Sequence, residues 1–272
     1  KTQVFLSVEK LLARLVTDRI VVLSQQQRRE INEQFGVGRA AQFSVVPLGL
    51  DLNAFSNWKE RGQAFRDELG LTDDDIAVGI VGRLTEIKNH DLFLRAAAVF
   101  KSEFSQPGVT VRFVVVGDGG LRKALERRSA SLGLDRDMVF TGSRRDLGEV
   151  YPALDIVALT SRNEGTPLTL IEAMANARPV IATAVGGVVD LLGEPISADE
   201  NQPFELRERG ISVSPDDAEG FAAGLAKLVT EAGLRRETGK RGLQFVTSHY
   251  SKERLLEDIR MLYADLLKKN DF

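Results

Sequence analysis

The chain has 272 residues, 43% of them hydrophobic, with 36 Lys and Arg against 39 Asp and Glu and a net charge of −3. That is enough chain to bury a core in one large domain or two, and the evenly mixed charge leaves neither a basic stripe for a nucleic acid nor a polybasic membrane anchor. The absence of cysteine excludes disulfides, thiolate nucleophiles and cysteine metal sites, and two histidines, His90 and His249, are too few for a histidine-rich zinc site and leave little for hydrolase triads.

The apolar stretches of Lys1 to Val16 are interrupted by charge, so this is no signal peptide, and no run approaches the roughly 18 apolar residues that span a bilayer. A cysteine-free composition fits a reducing cytoplasm, the expected location. Short β-branched runs then recur at Arg19 to Leu23, Ser44 to Val46, Ile76 to Val81, Val111 to Val116, Met138 to Phe140, Ile156 to Thr160, Pro179 to Ala182 and Gly210 to Val213. Their continuous apolar character predicts strands buried on both faces, as in parallel sheets. Helical patterns lie between them at Asp91 to Phe104, Gly120 to Leu132, Asp146 to Leu154, Pro167 to Ala177, Asp217 to Glu231 and Lys252 to Leu267. The rhythm is βαβ, and from Ile76 to about Val246 it describes one doubly wound α/β domain. Pro47 to Asp75, with its Pro-Leu-Gly turn and triple Asp, is expected to be a linker, and Gly193 to Gly210 a mobile surface loop. Lys1 to about Val46 is too short for a domain, which suggests a longer protein upstream.

Two glycine-rich turns end predicted strands, Val81-Gly82-Arg83 and Gly117-Asp118-Gly119-Gly120. Carboxyl ends of parallel strands are where such sheets bind ligands. A dinucleotide fingerprint is not met, because Gly79-Ile80-Val81-Gly82 lacks the spacing and Arg122 occupies the place of a third glycine; Gly233 to Arg241 imitates a P-loop but follows no strand. Arg83 and Lys88 follow the first strand of the domain, a guanidinium and an ammonium suited to a diphosphate, with a solvated loop as the bland alternative. His90 reads as structural. The segment Thr160 to Ala175 is the most informative. Thr166 is expected to cap a helix whose first position is Pro167, so that the amides of Gly165 to Leu168 meet an anion. Glu164 and Glu172 flank that place, and carboxylates there suit sugar and ribose hydroxyls; otherwise Glu164 favours the helix dipole and Glu172 is merely exposed.

Glu164-x7-Glu172, Ser161, the run Ala173 to Val180 and Val185-Gly186-Gly187 resemble the group 1 retaining glycosyltransferases of GT-B fold. Gly82-Arg83-Leu84-x3-Lys88-Asn89, Val116-Gly117-Asp118-Gly119 and Asp155-Ile156 resemble further landmarks of that family, in its order. The similarity covers about Arg19 to Tyr263. Two departures stand out: the family's acceptor domain is largely absent, and Leu48 replaces the Asn usual before Gly49.

The resemblance implies a GT-B Rossmann-like doubly wound parallel sheet, with 1–52 as the remnant of an N-terminal acceptor domain, 53–250 as the nucleotide-sugar domain and 251–272 as a helix packing back on the missing domain. It implies that Arg83 and Lys88 hold the donor diphosphate, that Glu164 contacts the sugar and Glu172 the ribose, and that Gly165, Thr166, Pro167 and Leu168 meet sugar and phosphate. Gly82 is expected among the donor-binding residues, and Thr141, Gly142 and Arg144 are expected at the base. No metal and no cofactor is expected; the donor is a nucleotide sugar, UDP-sugar on family frequency, and the acceptor a glycan, lipid or small molecule in polysaccharide biosynthesis, with peripheral membrane association of a full-length protein left open. A nucleotide-sugar-binding module without transfer and a GT-B sugar-nucleotide epimerase are the alternatives.

Overall fold

The computed structural model describes residues 2–55, 57–196 and 202–270. Helix α1 (Thr2–Leu15) leads into β1 (Ile20–Val22), α2 (Gln25–Arg29) and β2 (Phe43–Val45), and the two strands pair in parallel. Residues 1–51 group with 248–272 in one unit, and 52–247 form the other. In the first unit the final helix is tied to the early chain by arginines: Arg254 Nη2 donates to the carbonyls of Pro47 at 2.7 Å and Leu48 at 2.6 Å, and Arg19 pairs with Asp265 at 2.7 Å.

The second unit begins where a linker was expected, and that expectation needs correcting. Apart from Ser56, which lies outside the described residues, the stretch holds two 3-10 turns and helix α3 (Gln63–Glu68), whose Phe65 is buried. Arg66 fastens it, donating to the carbonyls of Thr72, Asp75 and Ala153. There follow β3 (Ile76–Val81), α4 (His90–Val99), β4 (Val111–Val116), α5 (Arg122–Ser131), β5 (Met138–Gly142), α6 (Leu147–Ala153), β6 (Ile156–Leu159), α7 (Leu168–Ala175), β7 (Val180–Thr183) and α8 (Val188–Leu192). The unit closes with β8 (Glu205–Arg207), β9 (Gly210–Val213), α9 (Ala218–Thr230) and α10 (Ala232–His249), before α11 (Lys252–Asn270).

The seven strands run in the order β5-β4-β3-β6-β7-β9-β8, all parallel except the β8–β9 pair. Strands such as β6, β7 and β9 are buried at every residue, because helices cover both faces. This is the doubly wound, Rossmann-like parallel sheet that the run lengths and the resemblance predict. The supposed mobile loop is in part regular: β8 and β9 form an antiparallel hairpin at the sheet edge, and residues 197–201 lie outside the described residues.

Candidate functional site

From β3 the chain winds outward to β4 and β5, then returns to place β6 on the other side of β3. The strand order reverses between β3 and β6, and the crevice beyond their carboxyl ends is where an open α/β sheet receives ligands. The two loops singled out in the sequence, Gly82 to Asn89 after β3 and Thr160 to Pro167 after β6, are the loops of this crevice. They are bonded to each other: Arg162 N donates to the Ile87 carbonyl at 2.9 Å and Thr160 Oγ1 to the Lys88 carbonyl at 3.0 Å.

Lys88 Nζ lies 2.6 Å from Glu164 Oε1, with the pair 26% and 11% exposed, and Ser161 Oγ donates to the same oxygen at 2.6 Å. Lys88 and Glu164 are thus one constellation. The Arg83 side chain is exposed and has no hydrogen bond or ion pair among the described residues. The Glu164 loop is held from behind by Gly186 and Gly187, where Gly187 N–H donates to the Glu164 carbonyl at 3.1 Å. A Cβ at Gly186, whose φ is 52°, would overlap that carbonyl, and one at Gly187 would overlap the carbonyl of Gly165. Any larger residue at either place would push the carboxylate away from Lys88.

The start of α7 differs from the expected one. Thr166 does not cap it. Pro167 is the capping residue, with an extended ψ of 94°, and the helix begins at Leu168 without a side-chain cap. The amides of Gly165, Thr166 and Leu168 accordingly have no backbone acceptor among the described residues. One turn further on, Glu172 is half-buried and receives the Tyr151 hydroxyl at 2.6 Å on Oε2. Burial raises the Glu172 carboxyl above its ordinary value against the opposing effect of the Tyr151 bond, and burial first, then the Glu172 charge, raises Tyr151. The reading of Glu172 as merely exposed is therefore wrong. Tyr151 escaped the sequence reading, since nothing in the pattern of α6 distinguishes it from a core aromatic.

Thr141 and Gly142 end β5, two strands from β3; Thr141 Oγ1 donates to the Gly142 carbonyl at 3.1 Å, and that carbonyl accepts from Gly117 N–H at 2.9 Å. Arg144 is engaged elsewhere, in ion pairs with Glu68 and Asp146 at 2.7 Å each and over the Phe65 ring at 4.8 Å, and its hydrogen bonds to Asp146 and then Glu68 raise its pKa.

His90 begins α4, 1% exposed, with neither ring nitrogen bonded. Burial, and secondarily the Lys88 charge, lower its pKa from 6.5 to about 4. The unfolded chain therefore takes up a proton between pH 6.5 and 4 that the fold refuses, and stability is expected to fall across that window by up to about 3 kcal/mol. Urea midpoints for the parent and His90→Met between pH 4 and 7 test this: the variant should show a flatter dependence, and parallel curves would place the acid sensitivity elsewhere.

Among the described residues there is no cluster of His, Asp and Glu able to hold a metal, and no helix is long and apolar enough to cross a membrane. Two cations, three amides without a backbone acceptor and two carboxylates are carried by the loops after β3 and β6 and by the first turns of α7, a set suited to a ligand that is anionic in one part and hydroxylated in another.

A family model described as group 1 glycosyl transferases matches residues 75–231, more than half of the chain. A D-inositol 3-phosphate glycosyltransferase from Corynebacterium jeikeium (strain K411) is 31% identical over 258 residues, which are 92% of this chain and 58% of that protein. The Anabaena Alr3699/HepE structure in complex with UDP superposes with a TM-score of 0.82 at 22% identity, over 98% of this chain and 68% of that one. The C-terminal domain of a glycosyl transferase group 1 family protein (LpcC) from Francisella tularensis superposes with a TM-score of 0.61 at 29% identity, over 75% of this chain and all of that domain. The chain spans a little over half the length of the curated relatives it matches, 58% and 57% for two of them.

Proposed function

The chain belongs to the group 1 glycosyl transferases, and from that premise we propose that it is the donor-binding part of a retaining hexosyltransferase, moving a sugar from UDP-sugar to an acceptor hydroxyl. The observation that carries this reading is the Lys88–Glu164 pair at the strand-order reversal, next in the chain to the amides of Gly165, Thr166 and Leu168, which have no backbone acceptor among the described residues. In it, Arg83 and Lys88 grip the diphosphate from the β3 side and stabilise the charge that grows on the leaving group. The amides at the start of α7 face the same oxygens from the β6 side. Glu164, steadied by Ser161, accepts from sugar hydroxyls while keeping Lys88 in place. Glu172, oriented by Tyr151, accepts from the ribose diol. The backbone at Thr141 and Gly142 meets the base; Arg144, already paired with two acids, takes no direct part. The acceptor hydroxyl attacks from the leaving group's side, and a donor phosphate oxygen takes its proton. This reading needs no resident metal or cofactor, because side-chain cations carry the balancing charge.

UDP is chosen over GDP and ADP on the family and on HepE, which has been solved with UDP and with UDP-glucose. Calorimetric titration with UDP-, GDP- and ADP-sugars tests the proposal: tightest binding of a UDP-sugar is expected, and binding of none of the three would overturn it. A second reading, a module that holds donor without transferring sugar, is favoured for the chain as it stands by its span of 58% of the relative's length.

Glu172→Gln separates function from folding. An ionised carboxylate with a raised pKa is destabilising at neutral pH, so the variant should melt at or above the parent's temperature. It should nevertheless lose most of the parent's preference for UDP over the 2′,3′-dideoxy analogue, since an amide offers one acceptor where the carboxylate offers two. An unchanged preference in paired titrations would leave Glu172 a structural residue.

A further inference from the structure

The opposite end of the same sheet carries a second set of cations. Asp155 immediately precedes β6 and Pro179 immediately precedes β7, so the turn that follows α7 lies at the amino ends of the strands. The four residues of β6, at about 3.3 Å each, put it roughly 13 Å from the donor crevice. Helix α10 packs closely on this turn: a Cβ at Gly239 would overlap the Ala177 carbonyl, and one at Gly242 would press on the Met174 side chain. The close approach brings Arg235, Arg236 and Lys240 beside Arg178, and these four, with Trp58 and Asp155, line a cavity of about 750 Å³.

Charge there is unbalanced. The one carboxylate is already occupied, since Asp155 Oδ2 accepts from Arg66 at 3.1 Å and from Ala77 N–H at 2.8 Å. Arg178 is fixed by bonds to the carbonyls of Asn176 at 3.0 Å and Leu154 at 3.1 Å, and lies over the Trp58 ring at 4.7 Å. Arg235 Nη1 donates to the carbonyls of Leu228 and Val229 at 2.6 Å each. Both guanidiniums keep Nη2 unbonded among the described residues. The side chains of Arg236 and Lys240 are exposed and have no hydrogen bond or ion pair there either. Burial lowers the pKa of Arg178 and of Arg235 against the opposing charge of Asp155, with Arg66 and Arg236 respectively adding to the lowering.

We propose that this cavity is a second ligand site, separate from the donor crevice, that binds a phosphomonoester. Guanidiniums anchored through one arm to backbone carbonyls present the other arm in fixed geometry, and phosphate oxygens match such forks bidentately. The volume suits a small metabolite, and the apolar wall that Leu243 and Pro179 contribute accepts the carbon skeleton that carries the phosphate. A free sugar phosphate and the headgroup of phosphatidic acid share this chemistry.

The test uses glucose 6-phosphate in calorimetric titrations and phosphatidic acid vesicles in cosedimentation, with glucose and phosphatidylcholine vesicles as uncharged counterparts. The parent chain should bind at least one of the two phosphomonoesters and neither counterpart, and the arm that binds identifies a soluble or a membrane-borne source. Arg236→Ser/Lys240→Ser, at two exposed positions without partners, should bind at least tenfold more weakly while melting at the parent's temperature. Arg83→Ala, at the other end of the sheet, should bind within twofold of the parent. Binding of neither phosphomonoester, equal binding by the double variant, or loss confined to Arg83→Ala would overturn the proposal; none of these outcomes bears on whether the crevice takes UDP-sugar.

Discussion

Replacing Arg83 or Lys88 by alanine is expected to weaken UDP binding roughly tenfold to 150-fold apiece and to leave uridine binding nearly unchanged, since each removes charge-assisted contacts to the diphosphate of about 1.5–3 kcal/mol. The two variants should differ in stability. The Arg83 side chain is exposed and has no partner among the described residues, so its loss should not move the melting temperature. Lys88→Ala strands Glu164, whose side chain is 11% exposed, without its cation, and breaking a largely buried pair costs several kcal/mol. The Ser161 bond to Glu164 softens that loss. Lys88→Met/Glu164→Gln removes both charges and should recover the melting temperature without recovering UDP affinity. Salt-matched titrations showing parent affinity in Arg83→Ala and Lys88→Ala would remove both residues from the phosphate site.

The larger effect concerns transfer. Chemistry requires an acceptor hydroxyl held at reacting distance in a closed site, and such positioning is worth about 7–11 kcal/mol of barrier. In the proposed reading the 52–247 unit supplies the donor side of that arrangement, and the chain covers 58% of the length of the inositol-phosphate relative. The 272 residues alone are therefore expected to bind nucleotide sugar and transfer it to no acceptor, whereas the same sequence joined to an acceptor domain transfers sugar. A radiolabelled-donor assay on both proteins decides this. Robust glycoside formation by the shorter chain, without a partner, would sink the division of labour.

How far the sequence reached varies with the kind of element. β3, β4 and β9 coincide with the expected runs to the residue, because each is a continuous apolar stretch with turn-forming neighbours. Helix α10 was missed over 18 residues: Gly233, Gly239 and Gly242 and a run of arginines hide its face, and two of these glycines allow close packing, Gly239 on the turn after α7 and Gly242 on Met174 of α7. β8 was missed because three residues, Glu205–Arg207, carry little apolar signal and owe their extended form to pairing with β9. The α7 boundary failed by one residue in the familiar way, when a threonine with the right chemistry did not adopt the capping geometry and the proline after it did.

What the sequence determined by itself was local: the order of strands and helices, the glycine turns at strand ends, and the residue types at Arg83, Lys88, Glu164 and Glu172. Those properties depend on neighbours a few positions apart, where periodicity and turn chemistry act. Only the tertiary structure decided which loops share a crevice, because strand order is set by how helices cover the sheet and leaves no mark in spacing. It brought Lys88 to Glu164 across 76 positions and Tyr151 to Glu172 across 21. It also gathered Arg178, Arg235, Arg236 and Lys240 around one cavity, charges that look solvated one by one and become an anion site when a glycine-faced helix packs them together.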